Sequence, residues 1–316
     1  MVLNFALVIL GIAMLVLGGD KLVEGATHIG KRFGMSDRVA GLTICAVGTS
    51  MPEVFVSVTS TLSGNSGMAV GNIMGSDMAN LLLILGVSAI IVPLNLAHRT
   101  TRVEVPMSIG AVLVFALFAN TGNSINAIEG GILLTLFVLF IANSVIAGMR
   151  EVEDEGENSA QEEAEDGSIA KDVLFIVIAI GLLKMGADLV VDNAVAIASA
   201  LGVSQVLISL TIVSVGTALP ELVTSSVAAF KGNADTAVGN VMGSVITNLL
   251  LVAGAPALFA PLAFNPVYNL DLALIAIFSI CMVVFTFVGR TRTFSRRCGL
   301  VFVMFYIIYL ASAIIR

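Results

Sequence analysis

The chain of 316 residues is 58% hydrophobic and 12% charged, contains no Trp, and has a mean hydropathy of +1.03. That balance excludes an ordinary soluble domain and points to an all-α integral membrane protein. The formal charge of −7 has a single source, because nine acids and no base lie between Glu151 and Asp166, leaving +2 for everything else. No nucleic-acid partner is expected.

A spanning helix needs roughly 20 mostly apolar residues. Apolar runs between polar breaks predict about ten spans, over 4–29, 38–62, 69–93, 104–119, 125–148, 172–199, 205–230, 237–260, 270–289 and 298–315. The first carries Asp20, Lys21 and Glu24 where a signal-peptide cleavage site would sit, so it is expected to remain in the mature protein. Cys45, Cys281 and Cys298 show neither metal nor disulfide spacing and read as packing residues. Loops after spans one, three, five, seven and nine hold twelve of the fifteen basic residues, whereas the loops between them hold none. By the retention of Lys and Arg on the cytoplasmic side, this is a multi-pass protein of the plasma (inner) membrane with both termini outward. The acidic run, within a cytoplasmic linker over 149–171, lacks the alternating Asp, central Gly and terminal Glu of a calcium loop and reads as solvated, disordered chain.

One half of the chain repeats the other. Residues 41–86 and 209–254 align at an offset of 168 without a gap, and 23 of the 46 positions are identical. Five spans per copy is an odd number, so the copies cross the membrane in opposite senses, as an inverted repeat of 1–148 and 172–316.

Each copy holds a Pro four residues after a Gly, Gly48 to Pro52 and Gly216 to Pro220. Proline lacks an N–H and its ring displaces the carbonyl four residues back. Carbonyls of Gly48 and Gly216, with those of Thr49 and Thr217, are thereby freed at membrane depth, where irregular backbone survives only when buried in protein or lining a cavity. Glu53 and Glu221 follow the prolines, and an ionised carboxylate in hydrocarbon costs at least about 2.5–3.5 kcal/mol. Helical spacing puts Thr49, Glu53 and Ser57 on one face, with Thr217, Glu221 and Ser225 as counterparts; Asn72, Ser76 and Asn80 align likewise, as do Asn240, Ser244 and Asn248. Such Ser and Asn stripes, with Gly71, Gly75, Gly239 and Gly243, could equally glue helices together. Joined to two glutamates and freed carbonyls, they form an all-oxygen set suited to a hard cation such as calcium, with sodium sites alongside.

The pairing of G-T-x-x-P-E with G-N-x-x-G-S-x-x-x-N, duplicated in inverted halves, resembles the alpha repeats of the sodium/calcium exchangers of the cation/calcium antiporter superfamily, prokaryotic type. The resemblance implies exchange of sodium for calcium by alternating access. It assigns calcium to Glu53, Glu221 and the carbonyls of Thr49 and Thr217, and sodium to the surroundings of Ser50, Ser76, Asn80, Ser244 and Asn248. It also implies that spans one and six slide as a gating pair. Ala218 stands where relatives often repeat a Ser, and Ser214 one turn earlier is a substitute. Asn248 is an Asp in potassium-dependent relatives, so potassium cotransport is not expected.

Asp77 leaves two readings open, a protonated or water-facing bystander and a third charge at the site. Asp20 and Glu24 recur at the same offset as Asp188 and Asp192, near Lys21 and Lys184. Internal ion pairing is favoured there over a role in ion entry. A proton-coupled calcium (cation/proton) antiporter is the alternative function, and an intramembrane enzyme with paired carboxylates a remote one. No enzyme activity or cofactor is expected. The partners are small inorganic cations and the lipid bilayer, and a monomer is compatible with the sequence.

Overall fold

The computed structural model describes residues 1–96, 99–155, 169–203, 214–287 and 293–315. Within them the chain folds into α1 (Val2–Arg32), α2 (Asp37–Leu62), α3 (Ser66–Ile91), α4 (Thr100–Asn120) and α5 (Ala127–Glu155), then α6 (Ile169–Ala200), α7 (Leu219–Phe230), α8 (Ala234–Ala257), α9 (Asn269–Phe287) and α10 (Arg296–Ile315). Eight helices of the described residues are long and apolar enough to cross a membrane. A turn of helix at Ser214–Gly216 precedes α7, and the rest of the expected seventh span, 204–213, lies outside the described residues. Helix α5 continues into the acidic run as far as Glu155, and 156–168 lie outside the described residues.

Burial sorts the helices into a centre and a jacket. In α8, 94% of the most apolar window is buried and in α3 78%, against 22% in α1, α5 and α6. The helices carrying the repeated motifs therefore form the protein interior, and the jacket helices turn Phe5, Ile9, Val138 and Val177 outward, as lipid contact demands.

The two halves are inverted copies down to their irregularities. Helix α2 breaks at Ser50 (φ −81°, ψ 0°) and restarts at Met51 with Pro52 in the first turn. The second copy breaks at Ala218 (φ −89°, ψ 4°) and restarts at Leu219 with Pro220 in the first turn. Ser50 and Ala218 are equivalent at the offset of 168, and both occupy the sparsely allowed bridge region. Wide π turns interrupt α3 at Ala79–Ile84 and α8 at Asn248–Val252, so both bulges fall at the repeated Asn80 and Asn248.

The loops divide into two faces as the alternation of spans requires. On one face the strands β1 (Ser124–Ile125) and β2 (Leu262–Ala263) pair antiparallel, joining the loops after α4 and α8, and the Ala263 N–H donates to Ser66 Oγ at the start of α3. On the other face Leu94 pairs with Phe294, Arg296 donates to the Ile91 carbonyl, and Asn233 donates to Asp37. Loops after α1, α3, α7 and α9 meet there. The same face holds a buried Arg38–Glu104 ion pair that ties the start of α2 to α4.

Close backbone approach holds the centre together. A Cβ on Gly239 would lie 2.3 Å from the Arg38 carbonyl oxygen, and one on Gly243 would lie 2.2 Å from that of Leu42, so α8 presses directly onto α2. Helices α1 and α6 run antiparallel along a glycine stripe, with Gly11 against Gly186 and Gly18 against Ala179. Glycine is required at such contacts because the obstacle is backbone. Gly243→Ala is therefore expected to destabilise the protein by about 1–3 kcal/mol, read as a lowered thermal midpoint in detergent. Gly131→Ala, where a Cβ meets nothing within 4 Å, is expected to leave the midpoint unchanged or raise it.

Candidate cation site

The broken helices and the bulged helices bring their polar residues together inside the protein. Thr49, Ser50, Glu53 and Ser57 from α2, Ser76, Asp77 and Asn80 from α3, Glu221 and Ser225 from α7, and Asn240, Ser244 and Asn248 from α8 are all buried. Glu221 lies near enough to Glu53 for the two carboxyl charges to act on each other, and Thr49 and Ser50 face Glu221 across the repeat boundary. The Pro52 nitrogen has no hydrogen to give the Gly48 carbonyl, and Pro220 leaves Gly216 in the same position. Thr217 is half-buried beside this break and the side chain of Ser214 lies outside the described residues.

What distinguishes this cluster from interhelical glue is its oxygens. Both carboxyl oxygens of Glu53, Oε2 of Glu221, the hydroxyls of Ser50, Ser76 and Ser244, and the amide oxygens of Asn80 and Asn248 are buried and find no hydrogen-bond donor among the described residues. Buried polar atoms are nearly always satisfied. These oxygens recur at repeated positions of four central helices, beside one unpartnered donor, Asn72 Nδ2, and a dehydrated hard cation would suit the oxygens. Elsewhere the stripes do act as glue: Asn240 donates to Ser225 Oγ at 2.8 Å.

Asp77 departs from one of its expected roles. It is fully buried, so it cannot face water; α8 covers it, and Asn248 Nδ2 donates to its Oδ1 at 2.9 Å. Among the described residues no three His, Cys, Asp or Glu side chains cluster as a preformed metal centre, and Asp77 lies near enough to Glu53 for their charges to interact. Ion pairing is present, Lys21 with Glu24 at 2.6 Å and Lys184 with Asp188 at 2.5 Å, but both pairs are exposed rather than internal. A third, between Lys231 and Asp20 at 2.5 Å, joins residues of different repeats that nothing in their spacing connects.

The site is reached from one side. A cavity of about 130 Å³ has Glu53, Asn72 and Thr217 in its wall, together with Lys184, Asp188 and Asp192 of α6. These α6 residues run from the helix midpoint towards Ala200, so the cavity lies on the side of the loops that hold β1 and β2. Towards the other face α1 packs down on α7: a Cβ on Gly19 would meet Val223 at 3.3 Å and Thr224 at 3.4 Å. The Lys231–Asp20 pair lies on that closed side.

Comparison with known proteins agrees with this architecture. The sequence profile of the family described as "Sodium/calcium exchanger protein" matches residues 3–146 and 171–315, nearly all of both halves. The inner membrane protein YrbG of Escherichia coli is 32% identical over 98% of this chain and 97% of its own length. The sodium/calcium exchanger MaX1 of Methanosarcina acetivorans is 30% identical over 97% of each chain. Among solved structures, the sodium-calcium exchanger NCX_Mj soaked with zero sodium and calcium superposes with a TM-score of 0.83, at 30% identity, over 98% of this chain and 99% of that one. The chain belongs to the sodium/calcium exchanger family.

Proposed function

We propose that this protein is a secondary antiporter that exchanges sodium for calcium by alternating access. Family membership makes it a transporter of small cations and sets aside the intramembrane enzyme. The observation that carries the finer reading is the set of buried, unpartnered oxygens around Glu53 and Glu221. Calcium takes both glutamates with the carbonyls of Thr49 and Thr217, and sodium ions use Ser50, Ser76, Asn80, Ser214, Ser244 and Asn248 with the same glutamates. Because the ion classes share carboxylates, filling one set excludes the other, which is the requirement for exchange rather than cotransport.

The one-sided cavity supports the alternation. In this state the ions enter between α6 and α2, while α1 seals the opposite path against α7. Exchange of the two arrangements, with α1 and α6 moving together along their glycine contact, would open the other side. A site with neither ion class bound leaves two carboxylates uncompensated in a low-dielectric interior, which opposes passage of the empty carrier. The counting of basic residues makes the open face extracellular.

Asp77 supports a second reading, in which protons are the counter-ion, since it is a third buried carboxyl whose charge also acts on Glu53. Calcium uptake into vesicles driven by a pH gradient, with sodium absent, would favour it.

Three measurements test the proposal. Purified protein in sodium-loaded vesicles should take up radiolabelled calcium only when diluted into sodium-free medium. Glu53→Gln and Glu221→Gln should each reduce that uptake by about 100-fold or more, the equivalent of about 3 kcal/mol of lost ion binding. Normal uptake by a folded variant would overturn the site.

Orientation is read by cysteine labelling in a variant lacking the three native cysteines. Ser63→Cys should react with a membrane-impermeant maleimide on intact cells, and Arg297→Cys only after permeabilisation.

For the closed side, Lys231→Met removes the pairing with Asp20, whose partners are about one-third and two-fifths exposed. An exposed pair is worth up to about 1 kcal/mol, so the open-inward population should rise by no more than about fivefold. Faster maleimide labelling of Thr224→Cys from the cytoplasmic side would register it.

A further inference from the structure

We infer that Asp77 is a positioning residue for ion exchange: it holds the Asn248 carboxamide with its oxygen turned to the cation site. An asparagine side chain has two faces of opposite character, a donor nitrogen and an acceptor oxygen, and only the oxygen can ligate a cation. Nothing in the chain around Asn248 prescribes which way the group turns. Asp77 does. Its carboxyl Oδ1 receives the Nδ2 hydrogen at 2.9 Å, a contact only the amide nitrogen can make with a carboxylate. Both residues are buried, so water cannot satisfy the amide in the reversed pose. With the nitrogen held, Oδ1 of Asn248 remains without a donor, beside the equally unpartnered hydroxyl of Ser244 one turn earlier on α8.

The bond also crosses the repeat boundary, from α8 of the second half to α3 of the first, 171 residues apart. Its counterpart does not exist in the other copy, because the position equivalent to Asp77 is Val245. Asn80, the counterpart of Asn248, therefore has no equivalent acidic partner. The two amides of a nearly symmetrical site are consequently oriented by different means.

The inference rests on the assignment of Asn248 to the sodium set, and the test separates the two. Asp77→Val inserts the residue of the other repeat and removes the acceptor. Asp77→Asn retains an acceptor oxygen while removing the charge. Sodium-driven calcium uptake gives the KM for sodium and the maximal rate, and calcium/calcium exchange in sodium-free medium reports the rest of the site. Loss of a partner that orients an ion ligand typically weakens binding by about 10–100-fold. For Asp77→Val the sodium KM should rise at least about tenfold, with calcium/calcium exchange within about twofold of the parent.

Asp77→Asn should restore the sodium KM to within about threefold of the parent. Asn248→Leu should match Asp77→Val, and the double variant should be no worse than either alone, since both act through one oxygen. If Asp77→Val does not reconstitute, Asp77→Ala takes its place. An unchanged sodium KM in the acceptor-less variant overturns the inference, as does a loss in Asp77→Asn equal to that in Asp77→Val, which would make charge the essential property. A normal sodium KM in Asn248→Leu, with Glu53→Gln inactive, would remove Asn248 from the sodium set while leaving exchange itself intact.

Discussion

A carboxylate kept in hydrocarbon must be neutralised, and here two carboxyl groups lie buried near enough to act on each other. That single constraint organises the molecule. On the proposed function a mobile cation completes Glu53 and Glu221, and the helices around them offer oxygens that find no donor among the described residues. The breaks at Ser50 and Ala218, the bulges at Asn80 and Asn248, and the tight glycine contacts that exclude lipid all serve that arrangement.

Duplication supplies both sides of the membrane with nearly the same machinery, yet the structure is not symmetrical. One route to the glutamates is open beside α6 and the equivalent route beside α1 is packed shut. On the proposed function, two inverted copies of one sequence would exchange these packings, a two-state element without separate gates. The glycine stripe between α1 and α6 is consistent with that, because backbone lying on backbone offers few side-chain ridges to interlock.

Much of this was legible in the sequence because duplication writes the chemistry twice. The proline breaks, the glutamates and most of the Ser/Asn stripes occupy the interior, and the described loops divide into two faces as the alternation of spans requires. Three contacts were not legible. Arg38 reads as a loop base and Glu104 as a charge at the edge of a span, and only the fold brings them together across 66 residues. Lys231 and Asp20 belong to different repeats. Asp77 lies off the polar stripe by helical angle, which concealed its bond to Asn248, a contact set by how α8 crosses α3 rather than by periodicity. Local pattern fixes which face a residue occupies; it is silent on which distant element covers that face.

The broken helices have an electrical consequence. Met51–Leu62 and Leu219–Phe230 are 12 residues each, about 18 Å of helix and so roughly half the bilayer. Their first turns begin in the interior, at Glu53 and Glu221, and the positive end of each helix dipole falls there. The preceding segments, Ala46–Thr49 and Ser214–Gly216, end at the same breaks, where their carbonyl ends fall. Positive and negative helix ends thus meet at each break, beside the two glutamates. On the proposed function, such balanced fields would let the site bind an ion without trapping it, as release on the far side of a membrane requires.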